Sequence, residues 1–138
     1  MKTRVYIIDD HPLVRRGLNA LVTAEPDLEV CGQQEDPSAA VQEIIRLQPD
    51  VVTIDISLNG TSGLELIKRI RAVNPRIQMV VLFMHHESVY ALRALKAGAR
   101  AYVMKHEAAA RIVEAIRAAR TGRMFVSDEV SRQMLTQL

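Results

Sequence analysis

A single cysteine, Cys31, stands in this 138-residue chain, so no internal disulfide can form. It sits in the apolar run LEVCG with nothing beside it that activates a thiol, and reads as a buried core residue. No stretch approaches the length that spans a bilayer. Two aspartates interrupt the first apolar run at positions 9 and 10, too early for a secretory signal. Membrane attachment is therefore not expected, and a cytoplasmic location is the default. Charge of one sign is scarce as well. Eighteen Lys and Arg against 16 Asp and Glu leave a formal net charge of +2, too little to argue for a nucleic-acid surface. No internal repeat or low-complexity linker breaks the chain. Its 49% hydrophobic and 25% charged residues are the balance of a soluble domain long enough for a core of its own.

Five short apolar runs alternate with five helix-like segments. The runs are RVYII (4–8), LEVCG (28–32), VVTIDI (51–56), IQMVVLFM (77–84) and AYVM (101–104). They are mostly apolar on both faces, as strands buried between helix layers are. Between them the apolar spacing becomes helical. Leu13, Val14, Gly17, Leu18, Leu21 and Val22 share one face of the first helix, and Val41, Ile44 and Ile45 one face of the second. Asp36 before Pro37 reads as an N-cap with proline at the first helical position. Ser62 and Glu65 have capping-box spacing, Asn74-Pro75 stops the third helix, and Gly98 and Gly122 close the fourth and fifth. The alternation predicts an α/β fold, a doubly wound parallel sheet of five βα units in the flavodoxin-like order 2-1-3-4-5. After Gly122 the pattern restarts with Ser127 as an N-cap. Residues 1–122 thus read as one domain and 123–138 as the start of a linker or helix toward something further.

Ligands of such a sheet bind beyond the carboxyl ends of the strands, where the strand order reverses. Here that point lies between the first and third strands, which end at Asp9-Asp10 and near Asp55. Three carboxylates in one crevice invite a divalent cation, and an all-oxygen set suits Mg²⁺. Lys105, ending the fifth strand, can reach across the cluster. A cation and a lysine flanking one aspartate form the elements of a phosphoryl site.

With these residues in view, the sequence resembles the receiver domains of two-component response regulators. The likeness runs from VYIIDDHPLVRRGL through DVVTIDISLNGTSGLELIKRIR to ALKAGARAYVMK. DDHPLVRRGL, GARAYVMK and EAIRAARTGRMFVSDEVSRQML resemble the subfamily whose receiver precedes a LuxR/NarL-type helix-turn-helix domain. The resemblance implies that Asp55 is the phosphoacceptor, charged by a sensor histidine kinase. It implies Mg²⁺ held by Asp10 directly, by Asp9 largely through water, and by the backbone carbonyl of Ser57. Lys105 matches the lysine that contacts the phosphoryl group, and Tyr102 the aromatic that turns inward on activation. DNA contact is implied only through a C-terminal domain absent from this chain, and a homodimer is compatible with the subfamily.

One position departs from that pattern. The family carries Ser or Thr at the end of the fourth strand, where this chain has Phe83, and residues 76–87 contain neither. A phenyl ring cannot donate a hydrogen bond to a phosphoryl oxygen, and its bulk is expected to occupy the space Tyr102 needs. That favours an alternative function, a degenerate receiver that binds a partner without phosphorylation. A third reading, an aspartate-nucleophile phosphatase, is disfavoured because such hydrolases carry Asp-x-Asp rather than adjacent aspartates on the first strand. No turnover of an external substrate is expected. His11, His85, His86 and His106 fall in loops at the strand ends, lack metal-finger spacing, and read as ordinary loop histidines. Arg111, Arg117, Arg120 and Arg123 make the fifth helix basic, a solvated face or a partner surface.

Overall fold

The computed structural model describes residues 1–56, 61–84, 88–126 and 128–136. Strands β1 (Thr3–Ile8), β2 (Leu28–Gln34), β3 (Val51–Ile56), β4 (Gln78–Phe83) and β5 (Ala101–Met104) alternate with helices α1 (Pro12–Thr23), α2 (Pro37–Leu47), α3 (Thr61–Val73), α4 (Ser88–Ala97) and α5 (Ala108–Arg120). A 3₁₀ turn, Lys105–Glu107, links β5 to α5. All pairings are parallel, in the expected order 2-1-3-4-5. The sheet does not stop there. Phe125–Val126 forms a sixth strand, β6, parallel to β5, and α6 (Asp128–Thr136) packs against α4. Two residues are too few to carry a periodicity, so this strand leaves no mark in the sequence. Ser127 lies outside the described residues.

Side chains alternate between two cores, one on each sheet face. Tyr6, Ile54, Val81, Phe83 and Tyr102 pack against α2, α3 and α4. Val5, Ile7, Val80, Leu82 and Val103 pack against α1 and α5. The buried stripe of α1 is Leu18 and Val22, with Val14 and Leu21 partly buried. Leu13, 82% exposed, and Gly17 flank that stripe on the solvent side, contrary to the sequence reading. Ile45 likewise points outward, because Ala40, Val41 and Ile44 already fill the narrow buried arc of α2.

The caps behave as their chemistry requires. The Asp36 carboxylate accepts the Ala39 N–H at 2.8 Å, with Pro37 opening the helix. Gly98 (φ +127°) and Gly122 (φ +80°) each follow a helix in the left-handed region. After α4, the N–H groups of Gly98 and Ala99 donate to the carbonyls of Leu95 and Ala94. After α5, those of Gly122 and Arg123 donate to Ala119 and Ala118, the same paired closure. Helix α3 ends at Val73, before Asn74-Pro75, but it begins at Thr61, so Ser62 lies in its first turn rather than ahead of it. Helix ends commonly shift by this much. Cys31 is only partly buried, because it sits on the edge strand β2, and burial raises its thiol pKa.

The arginines of α5 mostly serve this chain's own carboxylates. Arg117 grips Asp27 through two nitrogens (2.7 and 3.0 Å) and Glu25 at 2.7 Å, tying α5 to the turn before β2. Arg111 pairs with Glu114 at 3.0 Å and Arg120 with Asp50 at 3.7 Å. Among the described residues, no helix is long and apolar enough to cross a membrane.

Candidate phosphoryl and metal site

Register brings the carboxylates together. Ile8 of β1 pairs with Ile54 of β3, so Asp9 and Asp55 leave adjacent strands side by side. The backbone at Asp9 is held from two directions. Its N–H donates to the Gln34 carbonyl at 3.1 Å, and its own carbonyl accepts from Arg15 Nη1 at 2.8 Å. Asp9 Oδ1 in turn accepts the backbone N–H of His11 at 2.8 Å, bending the chain into α1. Glu107 Oε1 accepts the Met104 N–H at 3.0 Å, which fixes the turn carrying Lys105. From there Lys105 Nζ lies 2.9 Å from Asp55 Oδ1 and 3.9 Å from Asp9 Oδ2.

Asp9 and Asp55 are deeply placed, with side chains 0% and 2% exposed, whereas Asp10 faces solvent. Burial pushes the Asp55 carboxyl up to about 6. Lys105 pulls it down, and the negative charge of Asp9 adds to the rise. Asp9 Oδ2 is buried with no hydrogen-bond partner, and an anionic oxygen left so is costly. A bound cation removes that cost. Asp9, Asp10, His11 and Asp55 each offer a ligand atom, and these atoms lie within 4.8 Å of one another. Asp9, Asp10 and Asp55 line a cavity of about 100 Å³ together with Glu35, Ile56 and Gly63, room for an ion and waters. The donor set therefore fits a hard divalent cation such as Mg²⁺.

His11 is the residue the sequence reading missed. Its Nδ1 lies 3.2 Å from Asp9 Oδ1, 3.0 Å from Asp10 Oδ1, 3.3 Å from Asp55 Oδ2 and 3.1 Å from Lys105 Nζ. It is thus no ordinary loop histidine. The available signal was its position, directly after the aspartate pair and before Pro12 of α1. His106 lies exposed in the 3₁₀ turn, outside that cluster. Ser57, His85 and His86 fall outside the described residues.

Phe83 and Tyr102 meet on one face of the sheet. Phe83 pairs with Met104 and Tyr102 with Val81, so the two rings are diagonal neighbours. They stack with centroids 3.6 Å apart at 28°, and Tyr90 of α4 meets Phe83 edge-on at 5.3 Å. Tyr102 is 0% exposed. The sequence reading has Phe83 occupying the space Tyr102 needs; in this structure both rings lie buried, stacked on each other.

Comparison with known proteins agrees with this geometry. The family model of the response regulator receiver domain matches residues 5–117. The transcriptional regulatory protein LiaR of Bacillus subtilis is 38% identical over 98% of this chain and 64% of its own length. The response regulator GacA of Pseudomonas viridiflava is 32% identical over 95% of this chain and 61% of its own. This chain thus spans less than two thirds of either regulator. A two-component response regulator of the LuxR family from Aurantimonas superposes with a TM-score of 0.91 at 31% identity, over 99% of this chain and 98% of that one.

Proposed function

The chain belongs to the response regulator receiver domains, and from that premise we propose that it is a phosphoacceptor switch whose acceptor is Asp55. The observation that carries this reading is the Asp55 carboxylate, almost fully enclosed, 2.9 Å from Lys105 and beside Asp9 and Asp10. In the proposed step a carboxylate oxygen of Asp55 attacks phosphorus in a phosphohistidine of a sensor kinase. An O–P bond forms, the P–N bond breaks, and the electron pair leaves with the imidazole. Lys105 steadies charge on the transferred oxygens, and burial keeps bulk water from the acyl phosphate. Asp9, Asp10 and Asp55, with the carbonyl of Ser57, would hold Mg²⁺, which when bound neutralises phosphoryl charge. The chain consumes the phosphoryl group on itself and turns over no external substrate.

On this reading the switch serves the regulation of transcription, as the relatives' names suggest, and the LuxR/NarL-type resemblance implies a DNA-binding domain as its output. A second reading, partner binding without phosphorylation, rests on the sequence alone, where Phe83 stands in place of the family's Ser or Thr. Titration with beryllofluoride, a phosphoryl mimic, in the presence of Mg²⁺ tests the first reading by NMR. Saturable shifts in the loops after β1, β3 and β5 are expected, and none in Asp55→Asn. Equal shifts in the variant, or none in the wild type, would overturn it.

A further inference from the structure

The seam between α3 and α4 carries charge of one sign. Leu64 and Lys68 of α3 and Arg93, Lys96 and Ala97 of α4 line an open groove of about 430 Å³. Arg71, the next cation of α3 toward its end, reaches over the close of α4. A Cβ on Gly98 would come within 2.8 Å of its Nη1. Helix α4 has no acidic residue, and α3 has Glu65 alone. Glu65 lies 3.9 Å from Lys68 with both side chains exposed, a pairing that solvent largely screens. Among the described residues, Arg71, Arg93 and Lys96 form no ion pair.

Helix stability explains only part of this. A cation in the last turn of a helix interacts well with its carbonyl end, and Arg71 and Lys96 stand there. Lys68 and Arg93 lie earlier, where that field has faded. Residues three apart on a helix are neighbours, so Lys68 with Arg71 and Arg93 with Lys96 are two like-charge pairs. Packing of α3 on α4 then sets the two pairs beside each other. Arg111, Arg117 and Arg120 of α5, by contrast, each meet a carboxylate of this chain. The seam thus keeps a repulsion that negative charge from a partner would relieve.

The floor of the groove narrows the partner's chemistry. Leu64 and Ala97, both partly buried, give it an apolar base between charged rims. A nucleic-acid backbone brings charge but no apolar side chain for such a base, whereas a protein segment can bring both. Helix α6 packs on α4 as well, so α4 is flanked by α6 and by the open groove.

We propose that the groove between α3 and α4 is a docking site for an acidic protein segment. Its carboxylates meet Lys68, Arg93 and Lys96, and an apolar side chain between them seats over Leu64 and Ala97. Rim charges of this kind speed encounter and fix register, while the apolar contact supplies burial. None of Asp9, Asp10, Asp55 and Lys105 lines the groove, so the surface adds a partner site to the proposed phosphoacceptor role.

NMR titration of the isotope-labelled whole chain tests this, with a short helix-forming peptide rich in glutamate and carrying leucines along one face. Saturable shifts are expected at the groove residues of α3 and α4, weakening as salt rises. Arg93→Glu combined with Lys96→Glu should lower affinity about tenfold or more. Lys68→Gln with Arg93→Gln, which brings no reversed charge into the seam, should lower it several-fold. A peptide with serine in place of leucine should bind more weakly than the parent. Absence of saturable binding, shifts centred elsewhere, or equal affinity in both double variants would overturn the proposal. Equal binding of the serine peptide would overturn it too, because the apolar floor would then take no part. So would tighter binding of a DNA duplex at the same residues, or the same shifts with inorganic phosphate alone, since the groove would then be a phosphate site.

Discussion

Two buried oxygens carry opposite lessons about this chain. Asp55 is destabilising by design of its site. Its carboxyl pKa, raised from 3.8 to about 6, means the folded chain holds more protons than the unfolded one between those values. Stability contributed by this group therefore falls as pH rises through that window, and the ionised carboxylate is a cost at neutral pH. Asp55→Asn should stabilise the metal-free fold at pH 7.5, raising its Tm, by up to about 3 kcal/mol at 1.36 kcal/mol per pKa unit. The gain should shrink as pH falls through that window and vanish below about pH 3, where the wild-type carboxyl is protonated in both states, and thermal unfolding across pH checks this. Thr53, two residues earlier on β3, has a buried hydroxyl with no hydrogen-bond partner and is not among the residues lining the cavity beside the carboxylates. Thr53→Val removes that group with little change of shape. It should stabilise by about 1 kcal/mol in urea unfolding, leaving Mg²⁺ affinity unchanged.

At the scale of elements, β4, β5 and α4 are joined by the stack of Phe83 on Tyr102 and the edge contact with Tyr90. Tyr102 is thus held inward by its stack on Phe83. A phosphoryl group can shift a conformational equilibrium only by its differential interaction with the two states. A hydroxyl at position 83 would add one charge-assisted hydrogen bond, about 1.5–3 kcal/mol, and would remove the stacking partner. Phe83→Ser should therefore lower Tm and enlarge the NMR response of Tyr102 and α4 to beryllofluoride. If wild type already shows the full response, Phe83 is only core filling. The elements after α5 make a second prediction. Strand β6 pairs with β5 and α6 packs on α4, so the segment covers an edge that would otherwise be open to another chain. Removing residues 123–138 should lower Tm and raise the dimer fraction in analytical ultracentrifugation. An unchanged sedimentation profile would show that β6 shields nothing.

For the whole molecule, the five βα units were legible because each parallel strand is apolar on both faces and each helix carries a stripe. Val5 and Tyr6, adjacent in β1, face different cores, which is why the run reads as continuous. The positions of Asp9, Asp10, Asp55 and Lys105 followed from topology, since strand ends at a switch point must converge. What stayed hidden depends on side-chain direction. Nothing in the order of residues says that the His11 ring turns into the carboxylates, that Leu13 turns away from the core, or that Phe83 and Tyr102 stack. Each is decided by packing across elements far apart in the chain. Strand β6 was hidden for a different reason, being too short to repeat any pattern.

The proposed function comes down to one atom group, the Asp55 carboxylate, as the acceptor of the phosphoryl group. Intact-mass measurement after incubation with acetyl phosphate and Mg²⁺ addresses it without a kinase. The wild-type chain should gain the mass of one phosphoryl group, and Asp55→Asn should gain none. No gain in wild type, or the same gain in Asp55→Asn, would contradict it.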